Sequence, residues 1–396
     1  MELSALPLHR RALPFAPVVQ EVRDALVVPQ TALGRNGRRF NGGVYEAGRP
    51  VPLALHAGWG GRNLPDVPPA HEASLHLPGS YLFGGWLRDH FGHFLSESLG
   101  RLWAYPEHAE EIAGIVYILR ELAPLPAPRP ASSLHGRRLL LPYVTGVLDC
   151  LGVTAPRVSV GPAVSVDRLL VPAQLLFTAE DAGAGHPAFN EFARRAAAHP
   201  AVVAGPKAER IYVSRRRFTQ QVRRASGFLL EDAIERNLEA EGYTVIHPET
   251  LPIHEQLSYY VGARQLVFAE SSAVFLAAMV LGPEQEVAMI HRRDPCPAPL
   301  IARLAGSGAR RVLHVPAVSG FVAAAPGDMP KGKAWLVARP VLDLRRVEAM
   351  LAEAGFATRR WEMPGEAELA AAVEAAVAEL QGVFPGVAFG LRDAAV

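Results

Sequence analysis

Residues Arg88-Asp-His-Phe-Gly-His-Phe-Leu-Ser-Glu-Ser-Leu-Gly-Arg-Leu-Trp103 gather imidazole, carboxylate and guanidinium groups in one short stretch. At about 100° per residue, His90, His93, Glu97 and Arg101 fall at roughly 0°, 300°, 340° and 20° of a helical projection, so they share one narrow face. Phe91, Leu95, Leu99 and Leu102 lie on the other side, between about 100° and 180°. The plain reading is an amphipathic surface helix with a solvated stripe. Surface stripes, however, are usually built from Lys and Glu, and here Gly92 and Gly100 bracket the stripe as if to let a substrate approach. A carboxylate one turn from an imidazole orients it and raises its basicity, which is what a general base requires. A metal-dependent hydrolase built on His90, His93 and Glu97 ranks below this, because the spacing is not HExxH and no fourth ligand is evident.

Two further clusters lie in the second half. Arg210-Ile-Tyr-Val-Ser214 reads as a buried strand that runs into Arg215-Arg216-Arg217, with Arg223-Arg224 close behind. Guanidinium groups match phosphate oxygens bidentately, so arginines at the carboxyl end of a parallel strand suit a diphosphate. A solvated charge run is the bland alternative. The strand Gln265-Leu-Val-Phe-Ala269 ends in Glu270-Ser271-Ser272 before an apolar helix. Ser271 and Ser272 are natural helix caps, yet the same helix start offers N–H groups to an anion. An acid at a strand tip commonly binds sugar hydroxyls, the role expected of Glu270.

The elements that must position these groups follow an α/β pattern. In the first half, strands are expected at 25–28, 51–55, 115–119, 139–143 and 168–171, a helix at 89–103, and a proline-rich loop at 123–130. From residue 206 the alternation is cleaner. Strands are expected at 210–214, 243–247, 265–269 and 286–290, separated by helices at 229–241, 253–261 and 273–281. That order forms a right-handed, mostly parallel sheet with helices on both faces. The tail adds strands near 311–315 and 334–338 and helices at 342–354 and 366–380. The length of 396 residues suggests two domains, 1–200 and 201–396, divided near 199–206.

Composition narrows the function classes. The chain is 49% hydrophobic and 20% charged, and 35 Gly with 34 Pro stay below the level of wholesale disorder. Forty Lys+Arg against 39 Asp+Glu leave a net charge of +1, so no global field draws it to nucleic acid. Cys150 and Cys296 stand far apart, which excludes a disulfide framework and a cysteine zinc site. Neither a signal-peptide core nor a membrane-spanning run is visible. The expectation is a cytoplasmic protein, with a peripheral position at the inner face of the plasma membrane left open.

Three of these segments, in order, resemble glycosyltransferase family 61, especially its bacterial members from polysaccharide gene clusters. The likeness covers about 85–295. Its first motif, Asn-x-x-His-x-x-x-Glu-x-x-x-Arg, is met by His93, Glu97 and Arg101, with His90 in place of Asn. Val213, Ser214 and Arg215 match a Val-Ser-Arg motif. Ala269, Glu270, Ser272 and Ala273 match Ala-Glu-Gly-Ser-Ala-Leu-His, with Ser271 for Gly and Phe275 for His. The resemblance implies two Rossmann-like lobes of GT-B type, a nucleotide-sugar donor in the second lobe, and a glycan or lipid-linked glycan acceptor at the first. It further implies inverting transfer in cell-surface polysaccharide biosynthesis, with no cofactor and no bound metal. His93 oriented by Glu97 is then the candidate base, with Glu97 itself the alternative. Ser214, Arg215, Arg217, Glu270, Ser271 and Ser272 hold the donor, while His90 and Arg101 support the acceptor side. A non-catalytic nucleotide- or glycan-binding homologue is the rival reading, motivated by the departures at His90, Ser271 and Phe275.

Overall fold

The structure is a computed structural model that describes residues 15–33, 39–56, 62–63, 72–88, 90–119, 141–177, 183–203, 208–329 and 334–393. The expected loop 123–130, residues 139–140 of an expected strand, Asp89 at an expected helix start and 204–206 of the expected boundary lie outside the described residues. The chain divides into two compact units, Met1–Ala201 and Val202–Val396.

The first unit is built on strands β1 (Val19–Leu33), β2 (Arg39–Glu46), β3 (Arg49–Pro50), β4 (Arg62–Asn63), β5 (Leu75–Leu87), β6 (Gly114–Leu119), β7 (Arg157–Val160) and β8 (Val164–Pro172). They form one sheet in the order β3-β2-β1-β8-β5-β6-β7, with β4 added beside β2. β1 runs antiparallel to β2 and β8, whereas β5 is parallel to both β8 and β6, and β6 to β7. The run Gly114-Ile-Val-Tyr-Ile-Leu119 is buried along its whole length, as a strand covered on both faces must be. Gly84 on β5 is required there: a Cβ at that position would lie 2.3 Å from the ring of Tyr117 on β6. The sheet is therefore mixed: β8-β5-β6-β7 and the short β2/β4 pair are parallel, and the remaining pairings are antiparallel.

Two prolines redirect expected strands. Residues 51–55 hold a 3-10 turn, Pro52–Ala54, and the apolar run ending at Tyr143 enters a helix, Pro142–Cys150. In both, Pro stands at the first helical position, where its missing N–H costs nothing and its fixed φ suits the turn.

The second unit carries a five-stranded sheet of β9 (Arg210–Val213), β10 (Thr244–Ile246), β11 (Gln265–Ala269), β12 (Glu286–Ile290) and β13 (Arg311–Val315). Its order is β10-β9-β11-β12-β13 and every pairing is parallel. Helices Glu231–Ala240, Ile253–Gly262, Ala273–Ala277 and Ala298–Ala305 connect successive strands. Tyr212, Val267, Ala288 and Ile290 pack with Ile234 and Leu238 from the first of these helices and with Val347, Leu351 and Trp361. A three-stranded antiparallel sheet follows, β15 (Arg339–Leu342), β14 (Val318–Ala324) and β16 (Phe389–Asp393), in that order. Val322 and Phe389 there pack with Ala376 and Leu380 of the helix Glu366–Val383. The strand expected at 334–338 is instead a helical turn, Ala334–Val337, with Leu336 exposed and Val337 buried.

The strand order has one consequence for ligands. β10 lies on one side of β9, and the chain then crosses to place β11 on the other. The β9/β11 boundary is a topological switch point, where the loops leaving the two carboxyl ends diverge and open a crevice. Phe268 pairs with Val213 and Ala269 with Ile290, so the tips of β9, β11 and β12 end level. Cys150 and Cys296 are buried, unpaired and in different units. Among the described residues no helix is long and apolar enough to cross a membrane.

Candidate functional site

The first-unit candidates sit on an irregular winding. Phe91–His93 is a helical turn, Phe94–Ser98 widens to a π-helix, and Leu102–Ala104 tightens to 3-10 geometry. Ser96 Oγ donates to the carbonyl of Gly92 at 2.8 Å, a back-bond that competes with the regular ladder. π turns of this kind concentrate at functional sites. The stripe is not the solvated surface of the plain reading: Glu97 and Arg101 are each only 2% exposed, and Leu95, Leu99 and Leu102 are buried as well. Gly100 admits the chain itself, for a Cβ there would meet Gln174 and Leu176 at 3.2 and 3.3 Å.

Glu97 is the hub. Its Oε1 lies 2.5 Å from Nδ1 of His93, and its Oε2 lies 3.1 Å from Nε2 of His56. Arg88 Nη1 stands 3.5 Å from the same Oε2. Burial alone would raise the Glu97 carboxyl, but the hydrogen bonds from His56 and His93 and the charge of Arg88 outweigh it and hold it well below the usual carboxylate range. An ionised carboxylate only accepts, so each imidazole presents it with an N–H. His93 is then protonated at Nδ1 and carries its lone pair on Nε2. Its side chain is 27% exposed against 0% for Glu97. The imidazole, not the carboxylate, is the group that meets solvent.

His56 is buried and stacks on Trp86, with ring centroids 4.0 Å apart and planes 15° apart. Burial pushes its pKa down although Glu97 pulls the other way, so the ring is neutral. Among the described residues its Nδ1 is buried without a hydrogen-bond partner, as are Nε and Nη1 of Arg88. His90 caps the turn Phe91–His93, accepting from the His93 backbone N–H at 3.4 Å. Arg101 directs its hydrogen bonds to backbone carbonyls rather than to Glu97, His93 or His56. It donates to the carbonyls of Leu53 at 2.8 Å and Leu55 at 2.6 Å and to that of Pro172. Burial drags its pKa down to about 9, a measure of the cost of holding that charge on carbonyls alone. Among the described residues no three His, Cys, Asp or Glu side chains are arranged to hold a metal ion, and His90, His93 and Glu97 do not form such a group.

In the second unit, the tip of β9 carries Ser214 and Arg215. Ser214 Oγ faces two carboxylates on the helix Glu231–Ala240, Glu235 at 2.6 Å and Glu231 at 3.1 Å, and accepts from the Arg216 backbone N–H at 3.0 Å. Its hydroxyl is thereby committed to the protein. Arg215 donates from Nε to the Ser226 carbonyl at 2.8 Å and lies over the Phe218 ring at 4.6 Å. Its backbone N–H is held by Glu231 at 2.7 Å. Burial lowers the Arg215 pKa to about 10, with Glu231 opposing the shift and Arg293 adding to it. Of the expected arginine run, Arg217, Arg223 and Arg224 are exposed, Arg216 pairs with Glu235 at 3.2 Å, and Arg215 is held at the tip of β9.

Glu270 does not present its carboxylate outward. Oε2 accepts from the backbone N–H groups of Arg292 at 2.9 Å and Arg293 at 3.1 Å, and Oε1 accepts from Arg293 Nε at 2.5 Å and from its Nη2. Four donors fill the lone-pair positions, so the expected contact to sugar hydroxyls gives way to an anchor for the loop after β12. Burial would raise this carboxyl, but Arg293 and Arg292 hold it below its ordinary range. Arg292 itself is pushed down to about 9, by burial first and then by Arg215. Ser271 and Ser272 are half-buried, and Ser272 caps the next helix without a side-chain hydrogen bond. That helix, Ala273–Ala277, has only five residues, too short for the expected anion-binding helix start.

Sequence reasoning passed over His56, Glu231, Glu235, Arg292 and Arg293. The two arginines were accessible to the argument applied to Arg215, since they follow a strand end directly. Glu231 and Glu235 carry like charge at i, i+4, an unfavourable pair that hints at an inward task. His56 has no local signal at all.

A family model described as Glycosyltransferase 61 matches residues 91–287. The match takes in His93, Glu97 and Arg101 and runs through the tips of β9 and β11 to β12. The chain belongs to glycosyltransferase family 61 and is a glycosyltransferase enzyme. No individual curated protein matches it.

Proposed function

We propose that this glycosyltransferase moves a sugar from a nucleotide-sugar to a glycan or lipid-linked glycan acceptor, in the assembly of a bacterial cell-surface polysaccharide. In this reading the units act as the two lobes of a GT-B enzyme at the cytoplasmic side of the membrane. The first presents the acceptor and the base, and the second takes the donor at the β9/β11 switch point. The observation that carries it is the 2.5 Å contact between buried Glu97 and Nδ1 of half-buried His93, which orients one imidazole as a base.

The chemistry is one displacement with inversion. His93 Nε2 takes the proton of the acceptor hydroxyl as its oxygen attacks the anomeric carbon. The bond from that carbon to the diphosphate oxygen breaks, and its electron pair stays with the leaving nucleoside diphosphate. Glu97 steadies the imidazolium that forms and is not itself the base, because its side chain is sealed from solvent. Arg215, with Arg292 and Arg293, balances the charge growing on the diphosphate, and Arg217, Ser271 and Ser272 contribute from the rim. No bound metal is needed in this scheme.

His93→Ala and Glu97→Ala should each lower transfer by about 10²–10⁴-fold while leaving nucleotide binding intact. Arg215→Ala should weaken nucleotide binding as well as transfer. Steady-state transfer assays with a thermal-shift titration of UDP, GDP and CMP separate these effects. Undiminished transfer by the Glu97 or Arg215 variant would overturn the site.

A further inference from the structure

We propose that His56, which lies outside the family-matched segment, is a positioning residue for the transfer reaction: its Nε2–H fixes the far oxygen of Glu97, so that the near oxygen holds His93 as the base. The inference rests on the reading of His93 as that base.

Three observations carry it. The contact from His56 Nε2 to Glu97 Oε2 is 3.1 Å between side chains 2% and 0% exposed, so water does not substitute for it. The ring cannot swing away, because it is stacked on Trp86 at 4.0 Å. The backbone leading to it is pinned too: Arg101 donates to the carbonyls of Leu53 and Leu55, the latter adjoining His56. Arg101 thus reaches the site through His56. An ionised Glu97 can only accept, which sets His56 as the Nε2–H tautomer, in agreement with the absence of a partner at its Nδ1 among the described residues. The groups facing Glu97 are His93 and Arg88 from its own segment and its approach, and His56 from the turn after Pro52–Ala54; Arg101 stands beside His56.

Without the His56 N–H, one oxygen of a buried carboxylate loses its nearest donor, and Glu97 holds a proton more readily. The His93–Glu97 pair then gains its proton at higher pH and spends less time as a competent base. Two variants separate this from mere packing. His56→Phe keeps a ring against Trp86 and deletes the donor, whereas His56→Gln supplies an amide N–H to Glu97.

The experiment measures kcat, donor KM and the pH–rate profile of wild type, His56→Phe, His56→Gln and His93→Ala, with thermal unfolding as the check on folding. His56→Phe should lose about 10–100-fold in kcat at unchanged donor KM, with the acid limb of its profile moved to higher pH, and His56→Gln should recover most of the loss. A His56→Phe enzyme with wild-type kcat and profile overturns the proposal, as does a folded His56→Gln no better than His56→Phe. Nitrogen spectra of the histidine-labelled full chain give an answer independent of turnover. His56 should remain a neutral Nε2–H tautomer from pH 6 to 9; a charged ring or the Nδ1–H tautomer overturns the role. If His93→Ala transfers normally while those spectra are as expected, the base assignment fails and not the His56–Glu97 contact.

Discussion

Arg101 illustrates how one residue ties a site together without touching a reactant. Its guanidinium gathers three carbonyls from two separate segments, Leu53 and Leu55 on one and Pro172 on the other. Gly85 makes room for it, since φ there is +87° and a Cβ would lie 3.2 Å from Arg101 Cδ and Nε. Burying the charge is costly, but removing the side chain strands the carbonyls and opens a cavity, and each unpaired buried group costs about 1–3 kcal/mol. Arg101→Ala should therefore destabilise the first unit by about 3 kcal/mol or more. A denaturant midpoint equal to wild type would show that water replaces the guanidinium. The residue type and its spacing from Glu97 were legible in the sequence; its targets were not, because they are backbone oxygens about fifty and seventy residues away.

At the scale of elements, the helix Glu231–Ala240 turns two carboxylates toward the tip of β9. Glu231 Oε1 accepts from Tyr212, Ser214 and the Arg215 backbone, while its Oε2 is buried without a partner among the described residues. Burial raises its pKa to about 7; the Arg215 N–H opposes the shift and the charge of Glu235 reinforces it. The sign follows directly. Between its ordinary value of 4.5 and about 7 the folded carboxyl keeps its proton while the unfolded one releases it. The unfolded state then binds fewer protons, so this group makes stability fall as pH rises through that window. Glu231→Gln cannot titrate, so the stability of the variant relative to wild type should climb by about 3 kcal/mol from pH 4.5 to 7.5. Urea unfolding at a series of pH values reads that difference, in which the contribution of the histidines cancels. A flat difference would mean that Glu231 is ionised in the fold.

Across the whole molecule, each unit has its own sheet, and the second has a core drawn from its own residues. Calorimetry should resolve two heat transitions. A nucleotide that binds the second unit should raise only one of them, by about 2.7 kcal/mol of stability at 100 times its dissociation constant. A shift of the other transition alone would place the nucleotide in the first unit and reverse the proposed division of labour.

Sequence pattern alone set out the repeating strand-and-helix order of the second half, down to the bounds of β11, β12 and β13; β11 and β12, buried beyond their first residue, read as apolar runs between helical periods. It also marked His93, Glu97 and Arg215, whose residue types are conspicuous where they stand. Pro52 and Pro142 misled it locally, since an apolar run that opens on proline can wind as well as extend. Which polar groups serve the chain and which face outward was settled by packing between distant segments. Glu270 is exhausted by the loop after β12, Ser214 by the helix carboxylates, and His56 enters the Glu97 cluster from a turn 41 residues distant. Periodicity reports the face a residue takes on its own element; a buried charge is resolved by whatever donors the other elements bring to it, and that information resides in no single segment.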